Sequence, residues 1–119
     1  MSPPPVGPYT PIVRAGDWLV VSGQVGIDAS GKLVSGGLAG ELEQAIRNLE
    51  TQLATEGATL DDVVKTTVFL RHMSDYARMN EVYIAAFGDH RPARSAIGVA
   101  ELPIGALVEV EAWAFRAAG

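Results

Sequence analysis

The sequence predicts an α+β domain with two helices on one face of a mixed β-sheet. Three observations predict it. Two stretches, about residues 38–56 and 75–87, repeat apolar residues at helical spacing. Between them Val63-Val-Lys-Thr-Thr-Val-Phe-Leu70 is long, β-branched and strand-like. Further short apolar runs before and after give the order β-β-(β)-α-β-α-β-β, which fits helices segregated to one side of a sheet.

The elements follow in order. Residues 1–8 are Pro-rich and read as an extended arm ahead of one domain spanning 1–119. Pro11 to Ala15 is a short strand, Gly16-Asp17 a hairpin turn, and Trp18 to Ser22 a central strand apolar on both faces. Gly23 marks a bulge or a close backbone approach by a ligand. Asp28 to Gly31 is a turn, and Lys32-Leu-Val34 a possible third strand.

The first helix buries Leu38, Leu42, Ala45, Ile46, Leu49 and Leu53. Glu41, Glu43, Asn48 and Gln52 fall largely off that stripe, and Gly57 ends the helix. The helix reads as a brace. Ser74 is the expected N-cap of the second helix, whose stripe is Tyr76, Met79, Asn80, Tyr83 and Phe87. Strands over Arg94–Ala100 and Gly105–Arg116, joined by Glu101 to Gly105, are expected to be antiparallel neighbours.

Composition narrows the function classes. Of 119 residues 48% are hydrophobic and only 19% charged, a surplus of apolar surface that predicts self-association. The net charge is −5 with nine scattered Lys and Arg, so no nucleic-acid partner is expected. There is no Cys, hence no thiolate nucleophile and no disulfide. No secretory signal or membrane-spanning run is visible, and a cytoplasmic location is expected. His72 and His90 lack metal-ligand spacing and read as lone surface residues; no metal site is expected. Ser22 and Ser95 lack a partnered His.

The chemistry concentrates near the C-terminus. Arg94 opens an otherwise apolar strand and offers a planar fork to a carboxylate, either a ligand's or that of Glu101, Glu109 or Glu111. Glu109 and Glu111 share a strand face with Leu107, Trp113 and Phe115, a face that otherwise reads as core. Carboxylates about 7 Å apart beside apolar neighbours should raise at least one pKa, and such a group can hold or activate a water.

Pro92-Ala-Arg-Ser95, Val99-Ala-Glu-Leu-Pro103 and Glu109-Val-Glu-Ala112, with Gly7-Pro-Tyr9, Ser22-Gly-Gln24 and Asn80, resemble the signature of the RidA (YjgF) family of enamine/imine deaminases. The resemblance runs from about residue 7 to residue 116. It implies a chorismate-mutase-like fold and a homotrimer with active sites between subunits. It implies hydrolysis of imino acids to 2-oxo acids without a cofactor. It assigns the substrate carboxylate to Arg94, the water to Glu109, and the pocket to Tyr9, Ser22, Gly23, Asn80 and Ala96. Many members carry Cys where this chain has Ala96, so thiol chemistry is absent there and pocket size is open to change. Two other readings stand beside the enzyme: a metabolite-sensing trimer without turnover, and a ribonuclease, which the acidic balance disfavours.

Overall fold

The computed structural model describes Pro5 and residues 7–119; of the predicted N-terminal arm, residues 1–4 and Val6 lie outside the described residues. Among the described residues five strands and two α-helices form: β1 (Ile12–Ala15), β2 (Trp18–Val25), α1 (Gly37–Ala54), β3 (Val63–Leu70), α2 (Tyr76–Phe87), β4 (Ala93–Gly98) and β5 (Val108–Phe115). The sheet order is β1-β2-β5-β3-β4, with β3 and β4 parallel and all other pairs antiparallel. The mixed α+β architecture matches the expectation.

Two strand expectations need correction. β4 and β5 are not neighbours, because β3 lies between them. The link over residues 99–107 contains a short helical turn at Pro103–Gly105 and crosses the end of β3 instead of folding back. Val99 N–H donates to Leu70 O (2.9 Å) and Arg71 N–H to Leu107 O (3.0 Å), so both ends of the link are tied to that end. Residues 32–34 make only a single bridge, Ile27 to Leu33, and add no strand to the sheet.

Both helices lie against one face. Leu42, Ile46, Leu49 and Leu53 of α1 and Met79, Tyr83 and Phe87 of α2 pack with Leu19, Val21, Val68, Val108, Val110, Ala112 and Ala114. The core face of β5 is therefore Val108 to Ala114, not the Glu109 face. The reason is volume: the small and β-branched residues of the even positions let the helices approach. The helices leave the other face bare, with Val13, Trp18, Trp113 and Phe115 exposed. Trp18 packs edge-on against Trp113 and Phe115, with ring centroids 6.1 and 5.0 Å away.

Glu41, Asn48 and Gln52, expected off the helix stripe, are buried. Glu41 Oε1 accepts from Leu107 N–H (2.8 Å), and Asn48 Nδ2 donates to Val25 O (3.0 Å) and Ile27 O (2.9 Å). These bonds satisfy the Leu107 N–H and the Ile27 O at the strand ends and add a second donor to Val25 O, which already accepts from Ile27 N–H (2.9 Å). Gly26 allows the approach: a Cβ there would lie 2.4 Å from Glu41 O. Ser74 does not cap α2; it sits inside a short helical turn, Met73–Asp75, that leads into it.

Candidate active site

Strand register decides where the predicted residues point. Thr66 of β3 pairs with Arg94 on one side and Ala112 on the other, so Arg94 stands on the helix face. There α2 forms a socket for it. Arg94 Nη2 donates to Tyr76 Oη (3.1 Å) and Nη1 to Met79 Sδ (3.5 Å). Its Cζ lies 5.0 Å from the ring centroid of Tyr83 and 5.6 Å from that of Tyr76. Such contacts favour a cation over an aromatic face. The Tyr83 hydroxyl shares a 2.7 Å hydrogen bond with the fully buried Thr66 hydroxyl. Burial pushes the Tyr83 phenol above its ordinary pKa, so it remains a neutral partner.

Among the described residues, no acidic side chain forms a salt bridge with Arg94. The internal ion pair with Glu101, Glu109 or Glu111 that the sequence left open does not form. Arg94 has five N–H donors, of which two serve Tyr76 and Met79. Among the described residues the rest of the fork takes no hydrogen-bond partner, which leaves it open to an anion. Ala96 pairs with the buried Val68 and so shares Arg94's face. Asn80 lies one helical turn after Tyr76 on the same side of α2. Its Oδ1 is buried and takes no hydrogen bond among the described residues.

Glu109 occupies the other face. It pairs with Val25 of β2 and Phe69 of β3. Opposite Glu111, β2 places two residues, Ser22 and Gly23, between the Val21–Ala112 and Gln24–Val110 pairs. This is a β-bulge, which the sequence allowed as one reading of Gly23. The missing side chain makes room for Glu109: a Cβ on Gly23 would lie 2.5 Å from Glu109 Oε2. Burial raises the Glu109 pKa most, and the Glu111 charge raises it further. Ser22 ties the N-terminal arm to this point, its Oγ donating to Thr10 O (2.7 Å) and its N–H to Pro11 O (2.8 Å). Tyr9, 41% exposed, immediately precedes Thr10.

The predicted residues thus form two groups. Ser22, Gly23 and Glu109, with Tyr9 on the adjoining arm, gather around the β2 bulge. Arg94, Ala96 and Asn80 gather where edge strand β4 meets α2. The sheet separates Arg94 from Glu109, and one chain does not bring them onto one ligand. His90 is not a lone surface residue: its Nε2 is 2.7 Å from Val63 O, fastening the loop before β4. Ser95 Oγ accepts from Lys65 Nζ (2.8 Å). Among the described residues, no group of three or more His, Asp or Glu could hold a metal ion.

The family model described as Endoribonuclease L-PSP matches residues 1–116. The chain belongs to this family, the YjgF/RidA family. The RidA-family relatives include the mouse 2-iminobutanoate/2-iminopropanoate deaminase, 45% identical over 116 residues that cover 97% of this chain and 86% of the relative. A RutC family protein of Pyrococcus horikoshii is 41% identical, covering 97% of this chain and 92% of its own. The crystal structure of the YjgF gene product from E. coli matches with a TM-score of 0.90 at 34% identity, covering 97% of this chain and 93% of the other.

The sequence reading of this RidA-family chain missed the Arg94 socket. Tyr76, Met79 and Tyr83 show in sequence only as an apolar helix stripe. Their signal was two phenols and a thioether at helical spacing, which becomes chemistry only once register sets Arg94 opposite them. No helix among the described residues is long and apolar enough to cross a membrane.

Proposed function

We propose that this chain is a 2-iminobutanoate/2-iminopropanoate deaminase. It hydrolyses short 2-imino acids, tautomers of enamines such as 2-aminoacrylate, to 2-oxo acids and ammonia. The observation that carries this reading is Arg94: a cation fixed by Tyr76, Met79 and Tyr83 that forms a salt bridge with no acidic side chain among the described residues. A substrate carboxylate fits its open fork.

The reaction asks mainly for positioning, because the C=N carbon is already electrophilic. Glu109 takes a proton from water as the oxygen bonds to that carbon, and the π electrons move to nitrogen. Glu109 returns the proton to nitrogen, giving a carbinolamine. It then accepts the hydroxyl proton as the C=O forms, and the C–N bond breaks with that proton carried to the departing ammonia. A carboxyl with a raised pKa suits both directions of transfer. Ser22, Gly23, Asn80 and Ala96 shape the pocket, and Tyr9 closes it.

The site is shared between copies of the chain, Arg94 coming from one and Glu109 from another. The separation of these residues by the sheet supports this, as does the bare face with Trp18, Trp113 and Phe115. The family resemblance supports a homotrimer as the assembly. Neither nucleic acid nor membrane takes part, and the work belongs in the cytoplasm, where such imines would otherwise attack enzymes that use pyridoxal phosphate.

The test is an imine-decay assay. An amino-acid oxidase generates 2-iminobutanoate or 2-iminopropanoate, and semicarbazide traps what survives. The chain should reduce trapping, and Arg94→Ala should abolish the effect while leaving assembly intact. Imine decay at background rate with the wild-type chain would reject the enzyme in favour of a metabolite-binding trimer.

A further inference from the structure

The two tyrosines of α2 that face Arg94 are not equivalent. Tyr83 is buried and its hydroxyl is engaged with Thr66, so it offers Arg94 only its ring. Tyr76 is 40% exposed, and its hydroxyl accepts from Arg94 Nη2 at 3.1 Å. A phenol that accepts one hydrogen bond still has its own O–H to give. A cationic donor on its oxygen makes that O–H a stronger donor.

We propose that Tyr76 is a second carboxylate-binding residue, acting beside Arg94 and favouring anionic over neutral substrates. This rests on the deaminase reading for its substrate class. A carboxylate has about four lone-pair positions. Arg94 fills two of them from its open fork, and the Tyr76 hydroxyl reaches a third from the adjacent wall. The same phenol keeps the guanidinium from swinging away from the pocket, and its ring covers one side of it. The sequence shows Tyr76 only as part of a helix stripe. The hydroxyl acquires this role from the Thr66–Arg94 register, which brings the start of β4 beside the first turn of α2.

The test is Tyr76→Phe, which keeps the ring and removes only the hydroxyl. Steady-state imine hydrolysis is measured with 2-iminobutanoate. Calorimetric binding is measured with 2-oxobutanoate and with its neutral amide, 2-oxobutanamide. KM for the imine and Kd for 2-oxobutanoate should each rise about tenfold while kcat stays within about twofold, because the lost contact is made equally in ground and transition states. Binding of the amide should not change. Equal weakening of acid and amide would assign Tyr76 to packing and overturn the proposal. So would unchanged binding of both, or a fall in kcat alone. If the wild-type chain neither hydrolyses the imine nor binds 2-oxobutanoate, the deaminase reading falls and takes this one with it. A fully active wild type with an indistinguishable Tyr76→Phe variant overturns the Tyr76 role alone.

Discussion

Arg94 and Glu109 stand on opposite faces of one sheet, because their β3 partners, Thr66 and Phe69, are three residues apart along that strand. An odd spacing on a strand always reverses the face. The consequence reaches from register to function. If both residues act on one substrate, the substrate lies between two chains.

Turnover should depend on pH through Glu109. In the proposed mechanism the group must be ionised to take a proton from water, and burial and Glu111 both raise its pKa. Activity should therefore fall on acidification at a higher pH than an ordinary glutamate would impose. Glu111→Gln removes the smaller cause, so the acid limb of kcat/KM should move to lower pH. Burial remains, so the limb should stay above the ordinary glutamate range. A limb that stays in place, or moves up, would detach the profile from Glu109.

Gly23→Ala should damage the site more than the fold. The new Cβ would fall 2.5 Å from Glu109 Oε2 and 3.0 Å from Cγ, both atoms of a flexible side chain. Glu109 would swing away while the strand ladder persists. We expect kcat to fall by about 100-fold, the order lost when a proton-transfer group is displaced. Far-ultraviolet circular dichroism and Tm should change little. Wild-type kcat in this variant would show that the Gly23–Glu109 contact is idle.

Trp113→Glu should disrupt assembly and activity together. Trp113 is 46% exposed on the bare face and touches Trp18. A carboxylate there would have to be desolvated on association, which costs several kcal/mol if left unpaired. Light scattering should report monomers with native helical content and no imine hydrolysis. An active monomer would contradict a site made from two chains.

Much of the fold was legible in these residues, and the reason the rest was not is physical. Val63 to Leu70 reads as a strand because its β-branched residues favour the extended backbone, and the α1 stripe from Leu38 to Leu53 is regular. Alternation along β5 tells that Glu109, Glu111, Trp113 and Phe115 share a face. It does not tell which face the helices choose, and they choose Val108, Val110, Ala112 and Ala114. The supposed β4–β5 pairing failed because a short link is a local signal, whereas β3 takes both strands as its neighbours through non-local register. Glu41 and Asn48 look like surface residues until the backbone groups they satisfy, at Leu107, Val25 and Ile27, are folded against them. The roles proposed for Arg94 and Glu109 came from signature residues, and their separation by the sheet came only from the structure.

The most direct measurement mixes two inactive chains. Arg94→Ala keeps Glu109, and Glu109→Gln keeps Arg94. Each alone should be inactive in the imine-decay assay. Coexpressed in equal amounts, they assemble at random. A site that takes Arg94 from one chain and Glu109 from a neighbour is then intact with a probability of about one quarter, so about a quarter of wild-type activity should return. A mixed assembly that remains inactive would contradict the shared site, and with it the central claim about how this fold works.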